Sequence, residues 1–221
     1  MQGQLPVLLS AVVGDAFGAG GWLMGNLAGA GFAVAVQQVQ RRRAERARDI
    51  LLDELRQGEK TLSAPEVEEA AAVLLRYGRA AQEGAARLNL RLMAKVIAGQ
   101  VHQQALYADE FLRHADVIAG LRREEVILLG ALQRHWIADA VQALANDHDR
   151  MNEAKRLMIA ELIPVPFMDV AELAATEDAV VRTGFLFGTA TFGRTIFRPT
   201  RAFERLCTLV PLEAALEAEP A

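Results

Sequence analysis

With 221 residues, 52% of them hydrophobic, the chain can bury one large core or two small ones without covalent staples. Its single cysteine, Cys207, excludes an internal disulfide and, set in an apolar helical pattern, reads as a core thiol of a cytoplasmic body. Twenty-four Lys and Arg against 28 Asp and Glu leave a net charge of −4, which excludes nucleic-acid binding by bulk electrostatic attraction.

Between Asp15 and Arg41 run 25 residues without a formal charge. From just before this region into it, Gly14, Gly18, Gly21, Gly25 and Gly29 recur at spacings of three and four. On a helix they fall within a sector of about 80°, a face free of side chains against which another backbone can pack closely. Glycine costs about 1 kcal/mol relative to alanine inside a helix, so such a stripe expects close packing to return the loss. Residues 16–36 would cover about 30 Å as a helix, the thickness of a bilayer core. Arg41, Arg42, Arg43, Arg46 and Arg48 follow as a basic cluster at the membrane edge, which would hold the body in the cytoplasm at an inner membrane. No Lys or Arg precedes the apolar stretch, which disfavours a secretory signal peptide. The alternative is a helical hairpin buried in a soluble, cytoplasmic oligomer.

Residues 37–57 are rich in helix formers, with Val39, Ala47, Ile50, Leu51 and Leu55 as an apolar face and Gly58 as a stop. Ser63-Ala64-Pro65-Glu66 is a capping-box pattern opening a helix with Val67, Ala70, Ala71, Leu74 and Tyr77 on one side. Leu88, Leu92, Met93 and Val96 carry the apolar spacing to about Gly99. Asp109 is expected to cap a short helix ending near Gly120.

From Leu121 onward, helices are expected over residues 123–144, broken by Asn146-Asp147-His148-Asp149, then 151–163, stopped by Pro164 and Pro166, then 169–182. Phe185-Leu186-Phe187 and Thr195-Ile196-Phe197 read as two strands around a turn at Gly193, and Pro199 opens a final helix. Three helices, a hairpin and a trailing helix describe a winged helix-turn-helix. Its wing region carries Arg182, Arg194, Arg198 and Arg201 as candidate contacts to nucleic acid or another anion. Its third helix carries Asp169, Glu172, Glu177 and Asp178, which would repel phosphates, so a wing used for protein contact is favoured over DNA.

No catalytic, metal or cofactor constellation is expected. His102, His114, His135 and His148 show no HExxH or paired-His spacing, and Ser10 and Ser63 are in no nucleophile elbow. The N-terminal glycines lack the Lys and Ser or Thr of a phosphate loop.

The run Leu90-Arg91-Leu92-Met93-Ala94-Lys95-Val96-Ile97-Ala98-Gly99, then Asp109-Glu110-Phe111-Leu112 and Leu121-Arg122-Arg123-Glu124-Glu125-Val126-Ile127-Leu128-Leu129, resembles the central stretch of bacterial abortive-infection alpha (Abi-alpha) proteins. Arg182-Thr183-Gly184-Phe185-Leu186 and Phe197-Arg198-Pro199-Thr200 resemble that family's winged-helix-like end. The resemblance implies a role in defence against phage and transfers no catalytic residue.

The expected architecture is therefore mainly α, with a glycine-striped membrane segment over residues 1–40, a helical middle region over 41–120, a winged-helix-like domain over 121–212 and an acidic tail over 213–221. The expected function is that of a non-enzymatic, membrane-associated protein that oligomerises with itself and docks a protein partner. A winged-helix DNA-binding regulator and a structural component of a phage or other particle are the alternatives.

Overall fold

The computed structural model describes residues 3–4, 30–55, 61–62, 64–103, 106–191 and 194–220. The chain is mainly helical and divides into two compact units, Met1–Gly120 and Leu121–Ala221. The stripe of Gly14, Gly18, Gly21, Gly25 and Gly29 lies outside the described residues, as do the expected stop at Gly58 and turn at Gly193. Among the described residues no helix is long and apolar enough to cross a membrane.

In the first unit α1 (Ala30–Leu55), α2 (Ala64–Glu83), α3 (Arg87–His102) and α4 (Ala108–Ile118) pack together, and β1 (Gly3–Gln4) pairs antiparallel with β2 (Thr61–Leu62). Helix α1 buries Ala44, Ala47, Ile50, Leu51 and Leu55, a single stripe at helical spacing, against α2 and α3. Helix α3 is the centre of this unit, with Leu88, Leu92, Met93, Val96 and Ile97 all buried. Polar ties align the helices: Tyr77 Oη donates to Ala47 O at 2.9 Å and Asn89 Nδ2 to Ala119 O at 3.1 Å. Burial pushes the Tyr77 phenol far above its ordinary pKa. Arg91 reaches Glu54 at 2.8 Å and Asp53 at 3.2 Å, and Lys95 reaches Glu54 at 2.9 Å, so α1 and α3 share a small ionic cluster.

The unbroken apolar spacing expected between α2 and α3 is interrupted at Gly84, whose φ of +95° closes α2. Ala85 N–H reaches back to Ala80 O at 2.9 Å, the six-to-one bond of a left-handed helix terminus, which glycine adopts without steric cost. The expected Asp109 cap is also absent: α4 starts one residue earlier, and Glu69 on α2 accepts the Ala108 N–H instead.

The second unit contains α5 (Arg123–Trp136), α6 (Asp139–Gln142), α7 (Asp147–Leu162), α8 (Val170–Val181), the antiparallel hairpin β3 (Leu186–Thr191) and β4 (Arg194–Pro199), α9 (Arg201–Leu209) and α10 (Leu212–Ala218). Helix α5 is its axis, packing against α7, α8 and α10. The single helix expected over 123–144 ends at Trp136, because Gln142 Nε2 caps Trp136 O at 2.6 Å and Val141 turns into the core. Asn146 opens α7 rather than merely breaking α5, its side chain accepting from Asp149 N at 2.9 Å. Pro199 ends β4, and Thr200 caps α9 instead. Residues 213–220 are not a free acidic tail: Leu212 and Ala215 are buried in α10, and Arg123 donates to Glu219 O at 2.7 Å.

In the hairpin, Leu186, Gly188 and Ala190 oppose Pro199, Phe197 and Thr195 on one face. A Cβ at Gly188 would lie 3.2 Å from Thr195 Cγ2 and 3.5 Å from the Phe197 ring, so the missing side chain is where the aromatic settles.

Candidate functional site

Helix α8 is started by Asp169, whose Oδ1 accepts from Ala171 N and Glu172 N at 2.9 Å each. Leu173, Glu177 and Val180 then form its buried stripe, at spacings of four and three. A carboxylate in that stripe requires a partner, and Lys155 on α7 supplies it by donating from Nζ to Glu177 Oε2. Burial pushes the Glu177 carboxyl above its ordinary pKa; Lys155 opposes this, and the neighbouring Asp178 adds to it.

This pair opens onto a cleft of about 650 Å³ between α5, α7, α8 and the hairpin. Leu132, Trp136, Met158, Ala174, Ile196 and Phe197 are among its walls. Its size is that of a small-molecule site, and its apolar walls with few polar groups match the usual composition of one. Lys155, Glu177 and Asp178 are the charged side chains of its lining.

Two of the four arginines of the expected wing are engaged within the protein. Arg182 clasps Glu125 with Nη1 and Nη2, at 2.5 and 2.9 Å, and also donates to Ala179 O. Arg198 pairs with Asp147. Arg201 is exposed, and Arg194 opposes Thr191 at the turn end of the hairpin, its side chain lying outside those described. Of the acids that sequence reasoning set against phosphate, Glu177 is buried, while Asp169, Glu172 and Asp178 are exposed, Asp169 as the cap of α8 and Glu172 accepting from Met168 N at 2.7 Å.

Glu125 also accepts from Arg122 N at 2.8 Å. Burial pushes its carboxyl up, but the Arg182 guanidinium and the Arg122 N–H outweigh that and hold it below the ordinary value of 4.5. Its contribution to stability is therefore complete above 4.5 and is lost as pH falls through the lowered folded value. Glu177 has the opposite sign, costing stability as pH rises through its raised value. Glu125→Gln is expected to remove about 1–2 kcal/mol at neutral pH and to flatten the acid limb of a stability profile taken by urea unfolding from about pH 7 to about pH 3.

In the first unit, the arginine cluster after the apolar segment is interleaved with acids. Arg41 pairs with Glu45 and Arg48 with Asp49, while Arg43 donates to Gln82 O at 2.9 Å. Arg42 and Arg46 face an open groove shared with Arg87 and Arg91 and with Glu45, Asp49 and Asp53. Elsewhere, His135 Nε2 meets Glu161 Oε2 at 2.6 Å, with Arg134 on the same carboxylate at 2.8 Å. Among the described residues no group of three or more His, Cys, Asp or Glu could hold a metal ion. The half-buried Cys207 thiol is pushed up to about 12, chiefly by burial, so it has little thiolate character at neutral pH.

Sequence reasoning missed the roles of Glu125, Asp147, Lys155 and Glu177. For Glu177 a signal existed: it stands four residues after Leu173 and three before Val180, on the apolar stripe itself. Comparison of the chain with protein-family models, with curated proteins and with solved structures returned no match.

Proposed function

We propose that this chain is a non-enzymatic, membrane-associated helical protein that associates with its own copies through the glycine stripe and docks a protein partner through a winged-helix-like C-terminal unit. The order of α5, α7, α8, hairpin and α9 supports the winged-helix-like reading, with α8 in the position of a recognition helix. One observation favours protein over DNA at this unit. The outward acids of α8 are Glu172 and Asp178, α8 carries no Lys or Arg, and Arg182 and Arg198 are held by Glu125 and Asp147. Phosphate contact needs cations free to release counterions, and this surface offers few.

The glycine stripe and the unbroken α1 that follows it support self-association at a membrane, and the Abi-alpha resemblance extends the reading to phage defence. The test is retention of duplex DNA by the full chain across a salt series, beside carbonate extraction of cells expressing it. The expected outcome is no salt-dependent retention and a carbonate-resistant membrane pellet. Retention that weakens with salt and with Arg194→Ala and Arg198→Ala would establish the regulator instead, while large defined particles free of lipid would establish the structural component.

A further inference from the structure

An ion pair let into an apolar wall is an expensive way to close a core, since well-packed hydrophobic residues in its place are often at least as stable. Glu177 is nearly fully buried, whereas the Lys155 side chain keeps about a third of its surface, 32%, in solvent. A carboxylate offers about four acceptor positions. Lys155 Nζ is its one donor among the described residues. Asp178 stands beside it on the exposed edge, so the cleft sets one ammonium against two carboxylates.

The walls are suited to an organic body carrying such a charge. Trp136 uses its indole N–H on Glu204 at 3.4 Å, leaving the ring as a wall of the cleft. Phe197 faces in from the hairpin, and Met151 and Met158 line the α7 side with polarisable, adaptable surface. Aromatic faces attract cations, and a desolvated carboxylate attracts them more strongly.

We infer that this cleft binds a small apolar molecule bearing one protonated amine, its ammonium at Glu177 and Asp178 and its apolar body against Trp136, Met158 and Phe197. An anion of the same shape meets two carboxylates, and a neutral analogue gains only the apolar burial. The site does not depend on the docking or self-association proposed above.

Calorimetric titration of the full chain with phenylbutylamine, phenylbutanol and phenylbutanoate tests this directly. The amine is expected to bind about tenfold or more tightly than the alcohol, the scale of a charged hydrogen bond, and the acid most weakly. Glu177→Gln should bring the amine down to the alcohol's affinity while leaving the alcohol unchanged. Asp178→Asn, at an exposed position, should lower amine affinity about threefold, as expected of a partly screened charge. The inference is overturned if the alcohol or the acid binds the unaltered protein as well as the amine, if none of the three saturates, or if Glu177→Gln folds and keeps the amine's affinity. Should Glu177→Gln not fold, the probe series and Asp178→Asn decide the matter.

Discussion

Phe203→Ala is expected to lower the stability of the C-terminal unit by about 3–5 kcal/mol, the cost of deleting a fully enclosed aromatic ring. Phe203 has no exposed surface and meets Phe185 with ring centroids 6.1 Å apart at an interplanar angle of 55°. That tilted pair fastens the first turn of α9 to the entry of β3, so the loss includes aromatic contact as well as apolar burial. Urea unfolding followed by circular dichroism should show it as a large fall in midpoint. Phe187→Ala on the same hairpin is the control: Phe187 is 58% exposed, and its replacement should stay within about 0.5 kcal/mol. Equal effects at the two positions would mean that the Phe185–Phe203 contact does not hold the hairpin to α9.

Gln133→Leu is the second large effect, at about 2–4 kcal/mol, because it removes partners from backbone groups that water cannot reach. Gln133 Nε2 donates to Val210 O at 2.8 Å and Cys207 O at 3.3 Å, and its Oε1 accepts from Leu212 N at 2.9 Å. Val210 and Leu212 are buried, and the break between α9 and α10 has no side-chain cap at Pro211, so one amide on α5 organises the turn. Gln133→Glu separates hydrogen bonding from shape. Its carboxylate can still accept from Leu212 N but faces two carbonyl oxygens without a proton, so its deficit should shrink as pH falls and the acid regains a donor. Unfolding midpoints at neutral and acid pH, with hydrogen exchange at the Leu212 amide, measure both effects. A pH-independent deficit would show that lost packing rather than unpaired polar groups sets the cost.

The elements most legible in the sequence were those with local causes. The helix expected to open at Ser63-Ala64-Pro65-Glu66 begins at Ala64, the capping residue Ser63 itself lying outside the described residues, Pro164 and Pro166 followed the end of α7, and the switch to alternating residues after Gly184 marked the hairpin. What escaped were ends fixed by distant side chains. Nothing local says that Glu69 will cap α4, that Gln142 will close α5 at Trp136, or that Gln133 will let α10 form from residues whose acidic composition reads as a tail. The candidate site was hidden for the same reason. Glu125, Lys155 and Glu177 look like surface charges on helices, and their partners stand 57 residues away for Glu125 and 22 for the other two. The arginines around the hairpin were visible as charges, but Asp147 and Glu125, which engage two of them, come from helices well upstream.

Helix α1 runs unbroken through 26 residues, from Ala30 within the apolar stretch to Leu55 in the core of the first unit. Its two ends are therefore locked in angular phase, like marks on one shaft about 39 Å long. Adding one residue between Ala30 and Arg41 would turn the first turns of α1 by about 100° relative to its buried C-terminal stripe, whereas adding seven would restore the heading to within about 20°. The faces that α1 presents before Arg41 are thus set by the stripe it buries after Ala44.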